Sequence, residues 1–160
     1  MSDSLTHFDD AGAARMVDVG AKPETSRAAI ARARLRMAPA TLERISQGQI
    51  GKGDVLGVAR IGGISAAKQT PALIPLCHPV RISGIDVRFE LDRELPGVIV
   101  EAEVRAFDRT GPEMEAMNAA AGAALTIYDM CKAIDREMSL VEVALLRKSG
   151  GKSGDWVRGA

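Results

Sequence analysis

Two neighbouring stretches in the middle of the chain alternate strictly between apolar and polar residues. Apolar side chains occupy every second position over residues 85–91 and again over 98–104, with charged residues between most of them. A Leu-Pro-Gly turn sequence separates the two stretches at 95–97. Because a period of two is typical of a β-strand with one solvated face, the pattern predicts an antiparallel hairpin.

The first and last strands are predicted on either side of this hairpin. Residues 31–37 alternate with arginines on one side, which predicts a strand with one basic face, although the residue types would also tolerate a helix. The segment 140–146, which precedes a tail rich in glycine, lysine and serine, predicts the final strand.

Three segments predict helices. Pro39 opens a short helix that ends near Gly48. Small residues at helical spacing over 54–69 predict a second helix with Asp54 as its N-cap, although its glycines disfavour a helix. The Ala-rich segment 116–134 follows a Gly-Pro pair and predicts a long buried helix.

The order strand, helices, two strands, helix, strand predicts an α+β fold, the ferredoxin-like sandwich. We expect an antiparallel sheet of about four strands with helices packed on one face. No repeat or linker interrupts the sequence, which predicts a single domain over 1–160. Within it we expect a mobile N-terminal arm over 1–25, with a short extended segment at 16–19, and a tail loop over 148–160.

Composition narrows the class of protein. The 160 residues are 46% hydrophobic and 26% charged, as in an ordinary soluble globular protein. Twenty-one basic residues balance 21 acidic ones, so no overall field favours nucleic acid or a membrane. Aromatic residues make up only 3%, so the core buries less apolar area per residue. We therefore expect stability to come partly from oligomer formation.

The two cysteines, Cys77 and Cys131, lie far apart, and the chain has neither CxxC nor His-x-x-x-His spacing. This spacing does not support a zinc site, and it fits free thiols in a reducing compartment. The polar, acidic residues 1–10 exclude a secretory signal, and no uncharged apolar run is long enough to span a membrane. We expect a cytoplasmic protein with no metal ligands of its own.

Asp129 and Lys132 are charged residues near the end of the apolar segment 116–134. Their spacing of three places them on one face of a helix. Charges in apolar surroundings must be paired, and such pairs often have the shifted pKa values that acid and base catalysts need. A structural ion pair, or a pair at the surface end of a helix, explains the same pattern.

The loop from residue 73 to 79 places Cys77 and His78 between two prolines. Because proline restricts itself and the residue before it, His78 is expected in a rigid extended conformation, suited to phosphate binding or proton transfer. The alternative is a histidine that satisfies a buried loop. Nothing near Cys77 lowers its pKa, so it resembles a small buried apolar residue more than a nucleophile.

Several cations occur where a phosphate group could bind. Lys52 lies between glycines at the start of the second predicted helix, where backbone amides favour anions, although a surface turn explains it equally well. The segment 148–155 resembles a P-loop, but Leu146 stands where the first glycine is needed and no helix follows. Its lysines, serines and glycines still suit phosphate oxygens, while a frayed basic tail is the simpler interpretation.

Glu113 and Glu115 open the long helix, where carboxylates also simply stabilise the helix dipole. Taken together, cations from three segments, a histidine and a carboxylate indicate a polyphosphorylated small molecule as the ligand. Lysines would neutralise its phosphates, while Asp129 and a lysine exchange protons.

Four segments resemble the family of cyclic pyranopterin monophosphate synthases: KGDV at 52–55, LIPLCHP at 73–79, ALTIYDMCKA at 124–133 and KSGGKSGD at 148–155. The resemblance extends from LTH at 5–7 and MVDV at 16–19 to the tail, with differences in the 92–97 turn and the last few residues. The family acts second in molybdenum-cofactor biosynthesis.

The resemblance implies a fold, an assembly and a set of site residues. It implies a ferredoxin-like subunit in a homohexamer, a trimer of dimers, with the sites at subunit interfaces. It implies catalysis by Asp129, with Lys132 and Lys52 in the pocket. The residues that it places against the substrate are Leu76, Cys77, His78, Met114 and Glu115, to which we add Glu113, and the further basic contacts Arg27, Lys68, Lys148 and Lys152.

The family's substrate is (8S)-3′,8-cyclo-7,8-dihydroguanosine 5′-triphosphate, made by a radical-SAM enzyme, and its products are cyclic pyranopterin monophosphate and pyrophosphate. No cofactor is expected, although Mg²⁺ can accompany the triphosphate. On this hypothesis Asp129 acts as general base or acid, Lys132 and Lys52 are proton partners, and His78 and the tail lysines hold the triphosphate. The alternative from another class is a non-catalytic nucleotide-binding or assembly module, which would not need the Asp129–Lys132 pair.

Overall fold

A computed structural model describes residues 11–159 of the chain. The predicted N-terminal arm therefore falls partly outside the described residues, as does the LTH motif at 5–7. The elements are, in chain order, β1 (Thr25–Arg36), α1 (Pro39–Ser46), α2 (Val55–Lys68), α3 (Thr70–Leu73), β2 (Ile82–Asp92), β3 (Gly97–Asp108), α4 (Glu113–Cys131), β4 (Ser139–Ser149) and β5 (Trp156–Val157).

All neighbouring strands of the sheet are antiparallel, in the order β2-β3-β1-β4-β5. The four long strands follow the order expected of a ferredoxin-like sandwich, and the structure confirms the predicted α+β class and the β2–β3 hairpin. The central strand β1 pairs with β3 on one side and β4 on the other, for example at Ala31↔Ala102 and Ala33↔Val143.

The alternation of β1 separates an apolar face from a basic one. Its buried face consists of Ala29, Ala31, Ala33 and Leu35, all at most 1% exposed. On the opposite face Arg32 pairs with Glu142 at 3.1 Å and Arg34 with Asp92 at 2.7 Å. This confirms the predicted strand with a basic face. β1 begins at Thr25, earlier than predicted, because its first residues gain strand geometry from pairing with β3 rather than from their own pattern.

The helices α2 and α4 pack against each other through small residues. The Asp54 side chain caps α2 by accepting a hydrogen bond from the Gly57 amide at 2.9 Å, as predicted. A side chain at Gly63 would collide with the Ala119 carbonyl oxygen, so glycine is needed there for the two backbones to approach. The glycines that disfavour α2 as an isolated helix therefore serve its packing in the fold.

Two elements were not predicted. The helix α3 has only four residues and begins with Thr70-Pro71. In the sequence this segment has no helical pattern and leads directly into the proline-containing loop. The strand β5 has two residues, which pair with Arg147 and Lys148 of β4. Consequently β4 extends to Ser149, beyond the predicted end, and the tail turns back on the sheet as a hairpin instead of leaving it as a plain loop.

Candidate active site

A groove of about 800 Å³ lies beside the loop between α3 and β2. Leu76, Cys77 and His78 line it together with Glu113 and Met114 from the start of α4. The structure thus brings together two segments that the sequence suggested separately. His78 is half-buried at this surface, where its imidazole can meet a ligand.

A further part of the groove lining comes from the N-terminal segment, which was not predicted to belong to the site. The wall residues are Ala14, Val17, Val19 and Lys22. The available signal was the extended MVDV segment at 16–19, whose apolar residues needed a surface to cover. Lys22 adds a cation to this end of the molecule.

Glu115 is the most deeply buried carboxyl group of the site, at 1% exposure. Its Oε2 atom has no hydrogen-bond partner among residues 11–159, and its Oε1 atom lies 3.9 Å from the Cys77 sulfur. Burial raises the pKa of Glu115 to about 7, and the nearby Glu113 carboxylate acts in the same direction. Near neutral pH this group is therefore available in both its acid and its base form.

Cys77 is a poor nucleophile in this environment. Burial, with the carboxyl groups of Glu115 and Glu113 acting in the same direction, raises the pKa of its thiol to about 11. Both Cys77 and Cys131 are free thiols, as predicted. The thiol of Cys77 accordingly contributes shape to the groove and a weak hydrogen bond to Glu115.

The tail reaches the same end of the sheet. Lys148 donates to Glu113 at 3.1 Å, which links the end of β4 to the first turn of α4. The Arg27 side chain donates to the Asp108 carbonyl oxygen at 2.9 Å. Gly151, at a φ of 74°, packs directly against this guanidinium group, where any side chain would collide.

Two other predicted basic contacts are exposed. Lys152 lies in the turn between β4 and β5, after Gly151. Lys68 lies in the last turn of α2, two residues before Thr70, whose hydroxyl accepts a hydrogen bond from Asn118 in the first half of α4. Lys68 is therefore close to the groove end of α4 rather than to the end that carries Asp129.

Asp129, Lys132 and Lys52 come together at the far end of α4. Lys132 Nζ lies 2.6 Å from Asp129 Oδ1, and Lys52 Nζ donates to the Asp129 carbonyl oxygen at 3.0 Å. The three residues therefore lie close together, as predicted. Lys52 is delivered by the loop before α2, because α2 runs antiparallel to α4 and begins beside its last turn.

The surroundings of this pair differ from those that the apolar sequence suggested. The side chain of Asp129 is 62% exposed and that of Lys132 is 53% exposed, so in the single chain they form a pair at the surface end of a helix. The Lys132 ammonium group, helped by Lys52, holds the pKa of Asp129 below its usual range, while Asp129 raises the pKa of Lys132. At neutral pH this end holds a carboxylate and an ammonium ion.

One chain does not bring the two groups of predicted residues together. Glu113 and Asp129 are 16 residues apart on one helix, which corresponds to about 24 Å along its axis at 1.5 Å per residue. The groove therefore lies at one end of α4 and the Asp129–Lys132 pair at the other. A small ligand cannot touch both ends of the same α4 helix.

Two negative findings concern residues 11–159 only. Within this range no group of three or more His, Cys, Asp or Glu side chains is arranged to hold a metal ion. None of the helices there is both long and apolar enough to cross a membrane.

The fold defines the class of protein, an α+β sandwich of the ferredoxin-like type. The model of the MoaC family matches residues 16–151, so this chain belongs to the MoaC family. It is 58% identical over 157 residues to a cyclic pyranopterin monophosphate synthase of Roseiflexus sp. (strain RS-1), a match that covers 98% of this chain and 99% of the relative. The resemblance drawn from the four motifs is thereby confirmed.

Proposed function

We propose that this protein converts (8S)-3′,8-cyclo-7,8-dihydroguanosine 5′-triphosphate to cyclic pyranopterin monophosphate and pyrophosphate. The observation that carries the proposal is the 58% identity, over nearly the whole chain, to a relative named for this product. On this proposal the protein is a lyase of molybdenum-cofactor biosynthesis, and it acts on the product of a radical-SAM enzyme.

Asp129 is suited to be the general base of the phosphate step. Because its pKa is lowered by Lys132, it is ionised at neutral pH and can accept a proton. We assign it the proton of the substrate hydroxyl group, whose oxygen then attacks the α-phosphorus. A new P–O bond forms, the bond to the β-phosphate oxygen breaks, and that oxygen leaves with the electron pair as pyrophosphate.

Lys132 and Lys52 are suited to balance the charge that this step creates. Lys132 stays protonated because Asp129 raises its pKa, and Lys52 lies beside the same helix turn. Two ammonium groups at one helix end would stabilise the departing pyrophosphate and supply protons during opening of the purine-derived ring. Removal of either cation would therefore slow the reaction more than it weakens the fold.

The groove end of α4 is suited to hold the rest of the substrate. His78 and Met114 offer a polar and an apolar wall. Glu115 does not line the groove but lies directly behind it, next to Met114 in α4, with one carboxyl oxygen that has no hydrogen-bond partner among residues 11–159. Lys148 and Lys152, together with Arg27 and Lys68, would surround phosphate oxygens near this end. We assign Glu115 the recognition of donor groups on the ring system.

We further propose that each complete site joins the groove end of one subunit to the Asp129 end of another. The support is geometric, because about 24 Å separates the two ends of one α4 and a single site needs both. A partner that covers the exposed Asp129–Lys132 pair would also exclude water and strengthen its electrostatic effect. We expect this arrangement in a homohexamer built as a trimer of dimers.

We place the reaction in the cytoplasm, since both cysteines are free thiols. We expect no cofactor held by the protein itself. The role of Mg²⁺ is tested by running the assay with and without the cation, because a triphosphate binds it readily.

The test is a product assay with purified protein and the 3′,8-cyclised dihydro-GTP. Pyrophosphate release and the fluorescent pterin formed after oxidation are followed for the wild type and for Asp129→Asn. We expect turnover by the wild type and a loss of about 10²–10⁴-fold in the variant, the usual effect of removing a general base. A wild type that binds the substrate tightly but does not turn it over would instead support a non-catalytic binding module.

Lys52→Ala is the second variant of this test. The lysine is exposed and its only hydrogen bond is to a helix-terminal carbonyl oxygen in the part of the chain that is described. We therefore expect a large loss of activity with an unchanged midpoint of thermal unfolding. Equal losses of activity and stability would assign Lys52 a structural role.

A further inference from the structure

A second cavity, of about 450 Å³, lies at the Asp129 end of α4. Its lining consists of Lys52, Tyr128, Lys132, Ala133 and Arg136. Three of these five residues are cations from two separate loops. Arg136 did not stand out in the sequence, because it follows the apolar helix in a short polar turn.

The charge of Arg136 is not compensated by the surrounding residues. Among residues 11–159 its guanidinium group forms no ion pair, whereas Arg32, Arg34 and several other arginines do. Three cations line or border this end and Asp129 is the carboxylate paired there, with Lys132. The five lining residues thus contribute three positive charges and no negative one, so the cavity favours an anion.

Arg136 is also held on a rigid support. The Tyr128 hydroxyl donates to the Arg136 carbonyl oxygen at 3.3 Å, which ties the turn to α4. The neighbouring Asp135 is 8% exposed and accepts hydrogen bonds from the Ala38 amide at 2.8 Å and the Thr41 hydroxyl at 3.0 Å. Ala38, the N-cap residue of α1, has no side chain that could cap the helix. Asp135 binds the start of α1 instead and thereby fixes the turn to it.

An unpaired guanidinium group on a fixed backbone, beside two lysines, has the properties of a phosphate-binding residue. Guanidinium groups bind phosphate through two parallel N–H···O bonds, which an ammonium group cannot provide. We propose that Arg136 binds a phosphate group of the polyphosphorylated substrate, and the pyrophosphate product, alongside Lys52 and Lys132. The proposal rests on the proposed function for the identity of the substrate, and it extends the site beyond the residues assigned above.

The experiment compares the wild type with Arg136→Gln and Arg136→Lys in two measurements. Calorimetric titration with inorganic pyrophosphate gives the dissociation constant without any turnover, and the product assay gives KM and kcat. We expect Arg136→Gln to raise both the dissociation constant and KM about tenfold or more, since one bidentate contact is lost. Arg136→Lys should give constants between those of the wild type and Arg136→Gln, because lysine keeps the positive charge but cannot form the two parallel hydrogen bonds.

Arg93→Gln is the matched control, because it removes an exposed arginine that pairs with Glu43 at 3.3 Å, away from the cavity. It should leave both constants unchanged. Pyrophosphate affinity and KM that are unchanged in Arg136→Gln would overturn the proposal, and so would a wild type that does not bind pyrophosphate. If the wild type binds pyrophosphate but does not turn over the substrate, the proposed function fails while the titration still decides the role of Arg136.

Discussion

Glu115 lies in the first turn of α4 and Asp129 in its last turns, and the fold gives the two carboxyl groups opposite surroundings. Glu115 is buried, one of its oxygens has no partner in the described part of the chain, and its pKa rises to about 7. Asp129 is exposed beside Lys132, and its pKa falls. Pairs of carboxyl groups whose environments separate their pKa values are a common basis for dividing acid and base roles. Here one helix carries two carboxyl groups with separated pKa values, but at opposite ends.

The comparison shows why the length of the helix matters. The groove end holds the buried carboxyl group of Glu115 beside a large groove, whereas the other end holds a charged pair beside a smaller cavity lined by cations. On the proposed composite site, a second subunit would bring the groove end of one helix to the Asp129 end of another. The predictions below test this division between the two ends, beginning with the one that would change activity most.

Complementation between two inactive variants tests the division directly. We expect His78→Ala and Asp129→Asn each to lose at least about 10²-fold in activity, because each damages a different end. When equal amounts of the two variants assemble at random, half of the interfaces join one subunit of each variant. In such an interface one of the two sites carries neither substitution and is intact. About a quarter of the wild-type activity should therefore return. The product assay after joint refolding or coexpression measures it.

The control for this experiment joins two variants of the same end, Asp129→Asn and Lys132→Ala, which should not complement each other. If the pair from opposite ends also fails to recover activity while forming the same oligomer, the composite site is wrong. Recovery in both combinations would mean that Asp129 and Lys132 act in one site from different subunits, which also contradicts the composite site as proposed.

Glu115→Gln should stabilise the protein in a pH-dependent way. Below the ordinary carboxyl pKa of 4.5 both folded and unfolded chains are protonated, so no cost arises. Between there and about 7 the unfolded chain ionises first, and stability falls as the pH rises. Above this range the cost is about 3 kcal/mol, at about 1.4 kcal/mol for each unit of the difference in pKa. Glutamine removes this cost, since it never ionises.

Urea denaturation at pH 5 and pH 8 measures the effect. The variant should be little different from the wild type near the acid end and more stable at the alkaline end. A stability gap of equal size at both pH values would mean that Glu115 is not protonated more readily in the folded state. The variant should also lose substrate affinity, so stability and activity change in opposite directions.

Cys77 should react slowly with alkylating reagents, because its surroundings at the groove end raise the pKa of its thiol. Raising the thiol pKa from 9.0 to about 11 lowers the thiolate fraction at neutral pH. The rate of iodoacetamide labelling should fall about a hundredfold relative to an unperturbed thiol. Mass spectrometry of the labelled peptide, with Cys77→Ser to assign it, gives the rate. Labelling as fast as that of a free cysteine peptide would contradict the buried environment.

The strands and the long helices could be predicted because their patterns are local. Alternation over 85–91 and 98–104 is a property of the strand itself, and the Asp54 cap acts only three residues away. The strand β5 could not be predicted, since two residues adopt strand geometry only through pairing with β4. The contact of Asp129 with Lys132 follows from helical spacing, whereas their exposure depends on what covers the end of α4.

For the candidate site, the motifs identified the family, and the grouping of Asp129 with Lys132 and Lys52 is present in the structure. The phosphate chemistry of the site residues stays a prediction. The wall formed by residues 14–22, and the position of Arg136 beside Lys52, depend on contacts between distant segments that have no local signature. The separation of the two ends of α4 was implicit in the sequence, because the helix length fixes it.

The smallest expected effect concerns the ion pair that links the tail to the groove end. Lys148 and Glu113 lie 3.1 Å apart with both side chains about a third exposed, so solvent weakens their attraction. A double-mutant cycle with Lys148→Met and Glu113→Gln should give a coupling free energy of about 0.5 kcal/mol. Urea denaturation at low and high salt measures it, and the coupling should shrink as salt screens the pair.

If Lys148 instead serves mainly the substrate, KM will rise in Lys148→Met well beyond what this small coupling explains. A coupling well above 1 kcal/mol, insensitive to salt, would show that the tail is a structural part of the groove end, unlike the exposed pair at the other end of α4.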